Sequence, residues 1–284
     1  MMKASRSVLS LLGALLVAAQ LPAQQDDSTL STPKETSLRE LMQKPIAYKN
    51  VWVVFTGTFS GVGQLHNPFF TRFTRANHVN FALWGDDAKM WVREEYDNPC
   101  ATLFVAKAND ETTTVLYKLP RYQRVRLTGV VRNAFHGKPW VEITKIEPLE
   151  TRYTTASLRH LHRAYKHLSS HEWKKAGVEL GLAQAPELPA QARGWIEYYR
   201  GVCLMRVGQP GKAMQALRLA QTLLGNRPEV EDQIAQLGKD PKSQIDEVLR
   251  KPLVAKSKRP FWEAVEKGQK EEAKEAKEPA RPGH

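Results

Sequence analysis

Cysteine is nearly absent: Cys100 and Cys203 are the only two in 284 residues. Long apolar runs are also scarce. One stretch, Val8 to Ala19, is about 12 residues long, short of the roughly 20 that a membrane-spanning helix needs. No cysteine directly follows that stretch, so a lipid-anchored form is not indicated. There is no Gly-rich phosphate loop, no Gly-x-Ser-x-Gly, no His-Glu-x-x-His and no Cys-x-x-Cys. Nucleotide hydrolysis, serine hydrolase and zinc protease chemistries therefore lack their required parts. A block of one charge sign is missing too. The 42 Lys and Arg outweigh the 30 Asp and Glu, giving a net charge of +12. The excess is spread, with 15 basic against 11 acidic residues over 38–150, 13 against 8 over 151–240, and 11 against 8 over 241–284. Such a balance favours anionic partners without selecting one.

What is present begins with an address label. Lys3 and Arg6 precede the apolar stretch, and Ala23 offers a small residue before a polar segment. That is the layout of a secretory signal peptide over 1–23. The sequence thus predicts an exported protein of a bacterial periplasm with no span after cleavage. In an oxidising compartment Cys100 and Cys203 either pair across the two halves or stand as a buried and an incidental thiol. Residues 24–37 read as a flexible lead-in. From 251 to 284 the chain is a low-complexity charged tail in which Phe261 and Trp262 either dock back onto the body or anchor another protein.

Between 38 and 150 the pattern is one of short strands. LRELMQKP reads as a short helix, and NVWVVFTGTF as a strand buried on both faces. FFTRFT, NFALW with MWV, LFVAK and TTTVLYKL follow, the last two forming a hairpin bridged by ANDE. The closing pair is RVRLTGVVRN and PWVEITKIEPL around His136 and Gly137. With Gly57 and Gly129 placed to bend strands, this set resembles the OB-fold, a small β-barrel. The resemblance implies binding across one sheet face and its loops. Phe69, Phe70, Arg72, Trp84, Trp91, Arg124, Arg126 and Trp140 are the candidate ligand-binding residues, since bases stack on aromatic rings while cations track phosphates. The competing reading places the Phe and Trp side chains in the core. For Trp140, whose parity is opposite to Val141 and Ile143, burial against the helical half is the expected role.

Residues 151–250 read as a helical domain in which about 157–227 repeats at an offset of 37. Leu161 falls on Tyr198, Ala164 on Gly201, Leu168 on Met205, Ala176 on Ala213, Leu180 on Leu217 and Ala183 on Ala220. These small and apolar positions resemble the tetratricopeptide repeat, with Pro228 where that family closes a unit. His160 with Arg163, and Glu197 with Arg200, depart from it by occupying positions usually apolar. The resemblance implies helix faces offered to proteins or peptides, and Tyr165, Trp195, Tyr198 and Arg206 are the candidate partner-binding residues. His160, His167 and His171 share a face only on a continuous helix. Ser169 and Ser170 mark a turn there, so no metal site is assigned.

The fold class expected is therefore α+β, an N-terminal OB-like barrel followed by a short tetratricopeptide-like helical module. Its expected function is non-enzymatic, that of an exported binding or scaffold protein without a cofactor. The helices would take a protein or peptide partner and the barrel would act as a cap or second surface. The alternative is an envelope protein reading a glycan or nucleic acid with the barrel, nucleic acid being disfavoured by export.

Overall fold

The computed structural model describes residues 32–239. The signal segment, Phe261, Trp262 and the charged tail lie outside the described residues. The first elements are β1 (Lys34–Glu35) and α1 (Leu38–Gln43). Ser37 caps α1 by accepting the Glu40 N–H at 3.1 Å, which fixes the start of a helix that buries Leu38 and Leu41. Next come β2 (Trp52–Gly63), β3 (His78–Gly85), α2 (Arg93–Tyr96), β4 (Cys100–Ala106), α3 (Asp110–Lys118), β5 (Gln123–Phe135) and β6 (Lys138–Arg152).

These strands form one six-stranded mixed sheet in the order β1-β2-β3-β4-β6-β5, with β2 also pairing β5. Two pairings are parallel, β1 with β2 and β4 with β6. The long strand β2 is shared, pairing β5 over Trp52–Thr58 and β3 over Gly57–Gly63. At the changeover a Cβ on Gly57 would lie 2.5 Å from both the Leu83 side chain and the Trp84 carbonyl, so only glycine admits that approach.

This arrangement corrects the OB-like barrel expected over 38–150: what stands there is a six-stranded mixed sheet with helices set into it. The strand set behind the expectation differs in three places. Phe69–Thr74 is a turn and loop, and Met90–Val92 is a turn. The supposed strand TTTVLYKL is helix α3. Its start is written in ANDE, because the Asn109 side chain accepts the Thr112 N–H at 3.1 Å, and Asp110 and Glu111 occupy the positive end of the helix. Asn109 also donates to the Thr144 carbonyl at 3.0 Å, tying the cap to β6. The cap outweighs the modest strand preference of the three threonines.

The remaining chain is helical: α4 (Thr155–Ser169), α5 (Trp173–Ala183), α6 (Ala190–Arg206), α7 (Pro210–Leu224) and α8 (Pro228–Lys239). The α4–α5 turn falls after Ser169, with His171 at a φ of 58°. Each helix packs on the next. The tightest crossing is between α6 and α7, where a Cβ on Gly201 would meet Leu217 at 2.7 Å. Glu197 is buried but satisfied, accepting from Gln184 at 2.5 Å and from Arg200 at 2.8 and 3.1 Å.

Three apolar clusters result. One lies under the sheet and includes Val53, Phe55, Phe81, Leu103, Val105, Leu127, Val141 and Ile143, with Leu116 of α3 against it. A second joins the helices to Trp84, Met90, Trp91, Tyr96, Tyr122 and Tyr153. The third, Phe73, Phe104 and Trp140, stands on the opposite strand parity from Leu103, Val105 and Val141. No helix among the described residues is long and apolar enough to cross a membrane.

Candidate functional site

The connection from β2 to β3, residues 64–77, is where apolar surface meets solvent. Asn67 organises it. Its carbonyl accepts the Thr71 N–H at 3.0 Å and the Thr71 hydroxyl at 2.6 Å, and its side-chain oxygen accepts the Phe70 N–H at 3.3 Å. Phe73 then turns inward, fully buried, with its ring 4.1 Å from Phe104 and 6.0 Å from Trp140, stacked on both. Anchored in this way, the loop holds Phe69 and Phe70 outward at 90% and 68% exposure.

Phe70 is not isolated. Its ring stacks on Phe135 at 5.1 Å and an interplanar angle of 12°, and Phe135 meets His136 edge-on at 4.3 Å. The β5–β6 turn that carries them has His136 at a φ of 50° and Gly137 at 67°, the left-handed pair that tight hairpins need. Beside the rings is a shallow depression of about 480 Å3 lined by Asn50, Phe69, Phe70, Thr71, Arg72, Arg132 and Asn133. Arg132 bonds Glu142 at 2.7 Å, and Arg72 lies 4.0 Å from the same carboxylate. Below it, burial lowers the pKa of His78 from the usual histidine value. The site therefore offers two projecting rings on a fixed base, with a partly neutralised cationic margin.

Of the candidates read from the sequence, Phe69, Phe70 and Arg72 come together here. The others do not join them. Trp84 and Trp91 are 2% and 1% exposed, and Trp84 stacks on Tyr96 and Tyr122 while donating its indole N–H to the Tyr96 carbonyl at 3.0 Å. Trp140 is buried as expected of a structural residue, but on Phe73 and Phe104 beneath the loop and not against the helical half. Arg124 grips Asp86 through two bonds of 2.8 and 2.6 Å, which raise its pKa further. Arg126 pairs Glu35 at 2.8 Å. Tyr165, Trp195 and Tyr198 are buried in the helical cluster, and Arg206 lies over the Trp173 ring at 5.4 Å. Burial pushes the Tyr165 and Tyr198 hydroxyls up to about 12.

Both cysteines are buried free thiols. His160 bonds Glu179 at 2.7 Å, His167 bonds Glu172 at 2.6 Å and His171 stacks on Trp173. Among the described residues no group of three or more His, Cys, Asp or Glu is placed to hold a metal ion.

Sequence reading missed Phe135, Asn133, Asn50 and the part played by His136. A His-Gly turn between two strands marks a hairpin tip, but only tertiary pairing brings that tip to the Phe69–Phe70 loop. No protein-family model matches this chain, and no curated protein matches it.

Proposed function

We propose that this is an exported protein that acts by binding another protein, through the Phe69–Phe70 loop, and not by catalysis. The observation that carries the proposal is the pair of consecutive phenylalanines held at 90% and 68% exposure on a loop whose neighbouring ring, Phe73, is fully buried. A ring held before contact, as Phe70 is by Phe135, loses little conformational freedom on binding, and buried aromatic anchors dominate protein interfaces. The margin of Arg72, Arg132 and His136 suits a partner with acidic groups around an apolar socket. Partner binding through the helix faces is not proposed, because Tyr165, Trp195 and Tyr198 are buried, and oligomer binding by an OB-like barrel falls with the six-stranded mixed sheet. Export rests on the segment 1–23 and is checked by fractionation of cells.

The test is photo-crosslinking from position 69 in a native extract, compared with the Phe69→Ala/Phe70→Ala double variant presenting a crosslinker at a neighbouring site. One discrete protein adduct, lost in the double variant while the melting temperature holds, is the expected result. Equal adduct formation by both proteins would refute the proposal.

A further inference from the structure

A separate cleft of about 1010 Å3 shares no residue with the depression beside Phe69. It is lined by Phe59–Gly63 of β2, Ala82 of β3, Leu116 and Tyr117 of α3 with residues 119–122 beyond it, and Arg152–Thr155 where β6 passes into α4. Three of its properties point the same way.

The first is an open strand edge. Pairing of β2 with β5 stops at Thr58 opposite Arg124, and the Phe59 carbonyl accepts the Tyr122 N–H at 2.9 Å. Past a bulge at Ser60, β2 pairs β3 over Gly61–Gly63 on one side, and from Ser60 to Gly63 no strand among the described residues lies on the other. Unpaired edges are templates for another strand unless side chains guard them. Here the edge holds Gly61, where a Cβ would touch nothing within 4 Å.

The second is charge. None of the lining residues is acidic, and two are arginines, Arg121 and Arg152. Arg39, Arg93, Arg124, Arg126, Arg132 and Arg200 each pair with a carboxylate, whereas neither cleft arginine has an ion pair among the described residues. Arg121 is held in place, its Nη2 donating to the Tyr96 hydroxyl at 3.2 Å and its guanidinium 5.3 Å from the Tyr122 ring centre. Its Nε is buried without a hydrogen-bond partner. The start of α4 adds to this field, since its first turn carries no acidic residue.

The third is apolar surface beside the edge, with Val62 49% and Tyr117 61% exposed. An edge of four residues spans about 13 Å at roughly 3.3 Å per residue. That length, with alternating apolar and charged demands, fits a peptide strand better than a compact anion.

We infer that this cleft takes an extended acidic peptide segment, added as a strand along Ser60–Gly63, with its carboxylates against Arg121 and Arg152. Main-chain bonds to the edge supply affinity, and the two arginines with Val62 and Tyr117 supply selection. The inference does not depend on the Phe69–Phe70 reading.

The experiment titrates the full chain with fluorescein-labelled Val-Glu-Val-Glu-Val-Glu, followed by anisotropy. Controls are the same peptide with lysine for glutamate, the glutamate peptide N-methylated at alternate backbone nitrogens, and a single-stranded oligothymidine of equal charge. The glutamate peptide is expected to saturate, the lysine peptide not to bind, and N-methylation to weaken binding. Arg152→Glu, at an exposed position, should weaken it by about tenfold or more with an unchanged melt. Phe69→Ala/Phe70→Ala should leave it unchanged, which separates failure of this site from failure of the loop. Absence of binding, equal binding of the lysine or N-methylated peptides, tighter binding of the oligothymidine, or indifference to Arg152→Glu would each overturn the inference.

Discussion

Two aromatic assemblies flank the sheet, and they are built from different residues. Between sheet and helices stand Trp84, Trp91, Tyr96, Tyr122, Tyr153, Tyr165, Trp195, Tyr198 and Tyr199, all buried. Away from the helices, Phe73, Phe104 and Trp140 form a small stack that continues through Phe135 and Phe70 to solvent. In the first assembly the polar ends of several rings have partners: the Tyr96 and Tyr122 hydroxyls are 2.7 Å apart, and Trp84 bonds the Tyr96 carbonyl. Tyrosine and tryptophan suit a junction where backbone must also be satisfied. The second assembly is mostly phenylalanine, which has no polar end to satisfy and no reason of its own to face water. A junction and an exposed platform thus differ in whether the rings end in protein or in solvent.

Removing one ring from each buried layer gives the largest effect. Trp140→Ala and Trp84→Ala should each cost about 3–5 kcal/mol, the range for loss of a large buried aromatic, measured by denaturant unfolding. If Trp140→Ala were nearly neutral, the loop above it would not be standing on a packed base, and the comparison would fail at its root.

Added volume sharpens the contrast on the helical side. Ala213 is fully buried, and its carbonyl lies 3.4 Å from where a Gly201 Cβ would be. Ala213→Leu should overpack the α6–α7 crossing by about 1–3 kcal/mol. A melt indistinguishable from the wild type would show that this crossing is looser than its geometry.

A smaller effect is expected at α3, and it bears on what could be read from the sequence. The alternation of Val125, Leu127, Val131 and Val141, Ile143 made the β5–β6 pair legible, because one buried face imposes a period of two. The helices were legible from small and apolar residues recurring at 37. TTTVLYKL misled because three threonines look like strand, whereas the deciding signal is the local Asn109 cap, which acts through one hydrogen bond and not through periodicity. Asn109→Ala should cost about 1 kcal/mol, read by thermal melt, and a null result would mean that packing of Leu116 alone holds α3. The aromatic candidates were harder. In the sequence Phe69, Phe70 and Phe73 are three rings of one kind in a short polar stretch. Nothing local tells which turns inward, since Phe104 and Trp140, which receive Phe73, come from strands far along the chain.

The smallest expected change in stability is also the one that tests the comparison most directly, because it sets near neighbours against each other. Phe69 and Phe73 share a loop and a side chain, and differ in that one ends in water and the other in a ring stack. Phe73→Ala should therefore cost about 3–5 kcal/mol, whereas Phe69→Ala should stay within about 0.5 kcal/mol of the wild type. Phe70→Ala should fall close to Phe69→Ala, raised only by loss of its stack on Phe135, about 0.5–1.5 kcal/mol for an aromatic pair. Thermal and denaturant melts of the three variants order them. Were Phe69→Ala to match Phe73→Ala, the exposed ring would be part of the structure, and the surface proposed for a partner would instead be covered by the protein itself. With the order as expected, the exposure of Phe69 has no counterpart in stability, which is the condition that a ring kept free for the proposed partner must meet.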